Sequence, residues 1–255
     1  MLFYGSTDVG MRRAVNQDNF VIKKYSDDVI MAVVCDGMGG AAGGSIASSA
    51  ATAAFLRELD SAEETYPHFA GLGESEIEHI LTSAAEEANH TVYKMSKEDE
   101  SLSGMGTTLV GCIVMNGKIF TVNVGDSRMY LDAGTGMVQV TKDHSYVQYL
   151  VDMGKMSKEE AKASKKKNII TRAVGTERTV DVDFFVTEYN GCAAMLLCSD
   201  GLTNHVEEGE LEALLREACS EEGIQGACEK MIACANERGG TDNITAVAIA
   251  VAKSE

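Results

Sequence analysis

Proline is almost absent from this 255-residue sequence, with Pro67 its single instance. No Pro-, Ser- or Gly-rich stretch separates two differently composed halves, so nothing marks an interdomain linker. One domain across residues 1–255 is expected. Basic residues are scarce: 22 Lys and Arg against 39 Asp and Glu leave a formal charge of −17. That balance argues against attraction to a nucleic-acid backbone or an anionic membrane surface. Most of the carboxylates then serve solubility, and only a few are left for chemistry.

Long apolar runs are missing too. The longest, Val29 to Cys35 and Ala193 to Cys198, fall far short of the roughly 18 to 20 residues that cross a bilayer. The start, MLFYGSTD, lacks the basic residues and apolar stretch of a secretory signal, so a cytoplasmic location is expected. The seven cysteines form no CxxC pair and no Cys/His metal spacing. Cys35, Cys112 and Cys198 sit inside apolar runs and read as small, reduced core residues, without support for a redox role.

What the chain does have is a series of short runs rich in Val, Ile and Phe. They cover Val29 to Cys35, Thr107 to Met115, Lys118 to Val124, Arg128 to Leu131, Asp181 to Thr187, Ala193 to Cys198 and Ile244 to Val251. Each is bounded by Gly, Asn or Asp and is expected to be a strand. Asn116-Gly117 supplies the two positive-φ positions of a type I′ turn, so Thr107 to Val124 reads as an antiparallel hairpin. Apolar residues at three- and four-residue steps predict helices over Ser45 to Leu59, Ser75 to Met95, Glu207 to Cys219 and Ile224 to Asn236. Consecutive strands between pairs of helices favour packed antiparallel sheets with helices outside, rather than a strictly alternating parallel fold.

Four aspartates share one context, a strand end beside a glycine or turn residue: Asp36 in AVVCDGMGG, Asp126 in VNVGDSR, Asp200 in LLCSDGL and Asp242 in GGTDNITAV. Strand ends present side chains on a rigid backbone, and glycine permits close approach to the main chain. A single Asp-Gly of this kind is ordinarily a turn. Converging carboxylates are another matter, because they repel one another and lose hydration, and therefore need cations. Oxygen-only donors select hard ions such as Mg²⁺ or Mn²⁺ over Zn²⁺. Spacing alone does not establish convergence.

The segments GSTDVGMRRAVNQDNF, VVCDGMGG, GMGTTL, VGDSRMYL, TKDHS, ITRAVG, LLCSDGL and GGTDNIT, in this order from Gly5 to the C-terminus, resemble the metal-dependent protein serine/threonine phosphatases of type 2C, or PPM. VNQD with DGMGG is similar to the bacterial members, which oppose eukaryotic-like Ser/Thr kinases. The resemblance implies an α+β fold of four αββα layers, an antiparallel β-sandwich flanked by helices on both outer faces. It implies a binuclear Mg²⁺ or Mn²⁺ centre in which Asp36 bridges both ions, the Gly37 carbonyl binds one, and Asp200 and Asp242 complete the pair. Asp126, with Asp200, matches the ligands of a weaker third ion, and Asp18 an acidic residue just outside the ligand set. Phosphorylated proteins, including a cognate Ser/Thr kinase, are the implied partners, and a monomer is the expected state.

Water held between two cations becomes acidic enough to attack phosphorus in line, so no covalent phosphoenzyme is required and Cys35 needs no role. Arg13, three residues before Asn16, matches the arginine that grips the substrate phosphate; a guanidinium binds two phosphate oxygens at once. Arg12 reads as its solvent-facing neighbour. Met38 stands where eukaryotic relatives carry a histidine thought to protonate the leaving group. Methionine donates no proton, which leaves that acid open between a metal-bound water and His144 of TKDHS.

From Asp143 to Arg172 strand character is lost and Lys155, Lys158, Lys162, Lys165, Lys166 and Lys167 accumulate. This reads as a solvated amphipathic helix and loop; the resemblance places a flap here, where positive charge would help dock phosphorylated segments. Gly37 to Ala42 also satisfies the dinucleotide pattern G-x-G-x-x-A, but Asp36 would oppose a pyrophosphate and the hairpin does not suit repeated βαβ units. Phosphoaspartate chemistry would need a second aspartate in Asp36-Gly37-Met38. A non-catalytic phosphoprotein-binding relative would have lost metal aspartates, and all are retained.

Overall fold

In the strand Val29–Met38 (β3) every residue from Val29 to Cys35 is buried, because the strand is covered on both faces. Val29, Met31, Val33 and Cys35 pack under helices, whereas Ile30, Ala32 and Val34 point into a second sheet. Side chains alternate faces along a strand, so two covered faces turn the usual alternating pattern into a continuous apolar run. Ala193–Cys198 (β10) repeats the arrangement, with Ala194, Leu196 and Cys198 under helices and Ala193, Met195 and Leu197 between the sheets.

The computed structural model describes residues 1–218 and 221–251. Cys219, the expected end of one helix, and residues 252–255 of the expected domain lie outside them. The remaining strands are Leu2–Asp8 (β1), Asp18–Ser26 (β2), Gly106–Thr107 (β4), Leu109–Met115 (β5), Lys118–Val124 (β6), Arg128–Asp132 (β7), Met137–Gln139 (β8), Asp183–Glu188 (β9) and Ile244–Val251 (β11). They form two sheets, ordered β1-β11-β10-β7-β8 and β2-β3-β5-β6-β9 with β4 added on β3. All pairings are antiparallel.

Helices Gly40–Thr65 (α1) and Glu74–Glu98 (α2) cover the β3 sheet through Ala51, Phe55, Leu59, Ile77, Leu81 and Val92. Glu208–Glu217 (α6) and Glu221–Glu237 (α7) cover the other through Leu211, Leu215, Ile224 and Met231. The expected αββα sandwich is therefore what forms. Three short helices complete it: Tyr146–Asp152 (α3), Lys158–Ala163 (α4) and Asp200–Thr203 (α5).

Asn116 and Gly117 have φ of 52° and 73°, as the expected type I′ turn requires. Three departures have local causes. The strand expected from Thr107 breaks at Thr108, whose amide and hydroxyl bond to Asp36 instead of continuing a ladder. Helix α1 begins at Gly40, five residues before the expected Ser45, through glycines whose poor helix propensity hides a packing need. A Cβ on Gly37 would lie 2.0 Å from the Gly44 carbonyl, so the helix start and the end of β3 touch through backbone. Strands β1 and β2 were not expected. Gly5 interrupts β1, where a Cβ would lie 2.4 Å from the Phe20 ring, and Lys23 and Lys24 dilute β2.

Candidate active site

The end of β3, the start of β2, the turn between β6 and β7, the end of β10 and the start of β11 all lie at one end of the sandwich, as the strand registers require. Asp18 opens β2 directly opposite Asp36 near the end of β3. Asp126 occupies the β6–β7 turn, Asp200 opens α5 immediately after β10, and Asp242 precedes β11. The fold thus brings Asp18, Asp36, Gly37, Asp126, Asp200 and Asp242 together.

Their electrostatics register the crowding. Burial, then Asp18, Asp200, Asp126 and Asp242, hold the Asp36 carboxyl well above the usual carboxylate range. Burial with Asp200 and Asp143 pushes Asp126 up to about 8. Asp200 is raised by burial and by Asp242, against the opposing effects of the Asn204 amide and the Lys167 ammonium. Asp18 is raised to about 6 by burial, although the Thr245 and Ser199 hydroxyls each donate to its Oδ2 at 2.7 Å. Its Oδ1 is buried without a protein partner. Like charges this close and this dry call for cations.

The backbone around Asp36 is clamped. The Thr108 amide and Thr107 hydroxyl donate to its carbonyl at 2.9 and 2.8 Å. Its own amide donates to Thr108 Oγ1 at 2.9 Å, and that oxygen is 2.7 Å from Ser127 Oγ beside Asp126. The Asp-Gly of the β10 end has the same physical origin as Asp36-Gly37: a Cβ on Gly201 would lie 1.9 Å from the Asn243 carbonyl. Asn204 Nδ2 donates to Asp200 Oδ2 at 3.0 Å and steadies that carboxylate.

Arg13 lies on the turn between β1 and β2 and reaches the cluster, donating from Nη2 to Asp242 Oδ2 at 2.7 Å. Arg12 is exposed and has no ion-pair partner among the described residues. The turn is secured by Asn243, a residue with no role expected from the sequence. Its Nδ2 donates to the Val9 and Val15 carbonyls at 2.9 and 3.0 Å, and its Oδ1 accepts from the Gln17 amide at 2.9 Å. Asn243 directly follows Asp242, so one residue joins the Arg13 turn to the strand that carries the carboxylate. Its position next to Asp242 in GGTDNIT was the only available signal.

His144 is not poised as an acid. Its Nδ1 accepts from the Gly125 amide at 3.0 Å, and its Nε2 is already engaged, 3.1 Å from Asp183 Oδ2 and 3.0 Å from Arg172 Nη1. Burial lowers its pKa and keeps the ring neutral. It fixes the backbone of the VGDSR turn. The same turn rests on Arg128, which grips Asp143 through Nε and Nη2, the shortest contact being 2.7 Å, and reaches the Tyr130 hydroxyl. This partly buried ion pair, its partners 15 residues apart, leaves no pattern in the sequence. Cys35 is fully buried, and burial pushes its thiol up, out of reach of nucleophilic chemistry.

The lysine-rich stretch from Asp143 to Arg172 folds as α3 and α4 with turns. Lys166 lies over the Tyr146 ring at 5.4 Å and Lys162 approaches Glu207 and Glu208 at 4.0 Å, whereas Lys167 is near enough to Asp200 and His205 to affect both. Among the described residues no three acidic, His or Cys side chains close on a single point. Asp242 gives one oxygen to Arg13 and Asp200 one to Asn204. The all-oxygen donor set and the unpartnered Asp18 Oδ1 nevertheless fit hard divalent cations with bound water.

The sequence profile of the family described as "Protein phosphatase 2C" matches residues 11–244. A curated relative, serine/threonine phosphatase stp of Listeria innocua serovar 6a, is 40% identical over 244 residues, spanning 95% of this chain and 93% of its own. The crystal structure of serine/threonine phosphatase Stp1 from Staphylococcus aureus superposes with a TM-score of 0.85 at 32% identity, covering 98% of this chain and 95% of that one. The catalytic domain of the serine/threonine protein phosphatase PstP, solved in complex with two manganese ions, gives 0.80 at 30% identity, covering 98% and 97%. With the family profile and the fold in agreement along nearly its whole length, the chain belongs to the protein phosphatase 2C family.

Proposed function

We propose that this protein is a single-domain, metal-dependent phosphatase that hydrolyses phosphoserine and phosphothreonine in proteins, reversing a eukaryotic-like Ser/Thr kinase in a bacterial cytoplasm. The observation that carries this reading is the convergence of five aspartates, with Arg13, at one end of the sandwich. Asp36, the Gly37 carbonyl, Asp200 and Asp242 would hold two Mg²⁺ or Mn²⁺ ions, and Asp126 with Asp200 a weaker third. Such ions supply a water acidic enough to attack phosphorus near neutral pH.

The protein's own residues do the rest. Arg13, on a turn pinned by Asn243, binds and orients the substrate phosphate with its planar guanidinium. Asp18, held by Ser199 and Thr245 with Oδ1 free to accept, orients water at the centre. Thr107 and Thr108 hold the Asp36 backbone and so preset its carboxylate. Lys167 adds positive charge on the flap side, where a phosphorylated segment would approach. Hydrolysis of p-nitrophenyl phosphate and of a phosphothreonine peptide after EDTA treatment, with and without added Mn²⁺, tests the reading. Activity should vanish with the metal and return with it; activity that survives complete removal would overturn the assignment.

A further inference from the structure

The most exposed large apolar side chain of the described residues is Met11, at 66%, and Val15 on the same turn is 49% exposed. Neither owes its exposure to a loose segment. Between Val9 and Gln17 the turn is held by three hydrogen bonds to Asn243, by the Met11 amide donating to the Gly240 carbonyl at 2.8 Å, and by Arg13 on Asp242. The entropy of ordering this backbone has therefore been met by the fold, and the fixed turn displays Met11, Arg12 and Val15 around Arg13. Two large apolar side chains displayed on one fixed turn beside a reaction centre offer a contact surface. Methionine adapts its shape to varied apolar partners.

Charge indicates the occupant. On a chain of formal charge −17, Arg12 and Arg13 stand adjacent at the mouth, and Arg12 has no ion-pair partner among the described residues. A second copy would bring its whole acidic surface against this one, whereas a short phosphorylated segment presents its negative charge to Arg12 and Arg13 alone. We infer that Met11, Arg12 and Val15 form a docking lip for the residues flanking the phosphoresidue, and that it selects phosphoproteins with bulky apolar side chains at those flanks. The inference rests on the phosphatase reading above and narrows its substrate class.

The test compares two phosphothreonine peptides of equal length and charge, one with leucine and one with serine on each side of the phosphoresidue. Mn²⁺-loaded wild-type protein should favour the leucine peptide by about fivefold in kcat/KM, the ratio expected from half-burying one leucine side chain. Met11→Ser/Val15→Ser should bring the ratio close to one while leaving p-nitrophenyl phosphate turnover unchanged, since that substrate has no flanks. Met11→Ser alone, at the more exposed position, should remove part of the preference. Equal rates on both peptides with the wild type, or an undiminished preference in the double variant, would overturn the lip. Absence of any Mn²⁺-dependent p-nitrophenyl phosphate turnover would instead sink the phosphatase reading itself.

Discussion

Arg13 and Asp242 form a direct ion pair, Nη2 to Oδ2, at 2.7 Å, with the arginine side chain half exposed. The residue assigned to the phosphate is therefore bound to a residue assigned to the metal, and cation and guanidinium compete for one carboxylate. Arg13→Ala should raise KM for p-nitrophenyl phosphate more than it lowers kcat. It should also tighten Mn²⁺ binding by up to about fivefold, the equivalent of a partly exposed ion pair. Titration calorimetry reads the second effect without reference to activity; a weaker or unchanged Mn²⁺ affinity would show that the pair does not compete with metal.

Asp36→Asn keeps the shape of the side chain and the clamp on its backbone but removes the charge at the centre of the cluster. Turnover should fall by at least about a hundredfold, the upper range seen when groups that merely support ligands are lost. Because Asp36 is repelled by Asp18, Asp200, Asp126 and Asp242, the metal-free variant should be as stable as wild type or more so. Thermal unfolding across Mn²⁺ concentration should show a large shift for wild type and a small one for the variant. An active variant with a full Mn²⁺ shift would place the metal elsewhere.

The raised carboxyls have a pH signature. Asp126, pushed up to about 8, and Asp18, raised to about 6, retain protons in the folded state that the unfolded chain has already released. The folded state then binds more protons, so stability of the EDTA-treated protein should decline as pH rises from about 4 towards 8. Asp126→Ala should flatten the upper part of that decline, preserve the fold, and raise the Mn²⁺ concentration needed for full activity. Unaltered metal dependence with reduced stability would make Asp126 a turn residue only.

Asn243→Ala would leave the Val9 and Val15 carbonyls and the Gln17 amide without their partner. Loss of three partly buried hydrogen bonds should cost about 2–4 kcal/mol in urea unfolding. The freed turn should also raise KM through Arg13 while changing Mn²⁺ affinity by no more than Arg13→Ala does. A stable variant with unchanged KM would remove Asn243 from the positioning of that arginine.

His144→Gln separates a structural from a catalytic histidine. Since the ring is neutral and spans Gly125 and Asp183, the variant should lose stability but keep the shape of the kcat–pH profile. Disappearance of one limb of that profile would restore His144 as the leaving-group acid.

Much of the fold was legible in the sequence, because strands buried on both faces must be apolar throughout and a type I′ turn demands residues such as Asn116-Gly117. The β3, β6, β10 and β11 runs follow from those two rules. Strands β1 and β2 were not legible, since Gly5 is needed for contact with Phe20 across the sandwich and Lys23 and Lys24 mask the alternation. The aspartates were visible as strand-end carboxylates, and resemblance supplied the expectation that they meet. Their meeting is a property of strand order and register: Asp18 faces Asp36 only because β2 pairs with β3 in that register. The supporting contacts are longer in range still. Thr108 holds Asp36 from 72 residues away, and Asn243 holds the Arg13 turn from more than 220. Hydrogen bonds between positions so far apart leave no period or spacing in the chain, so residue types were set by the sequence alone, and their partnerships by the packing of the two sheets.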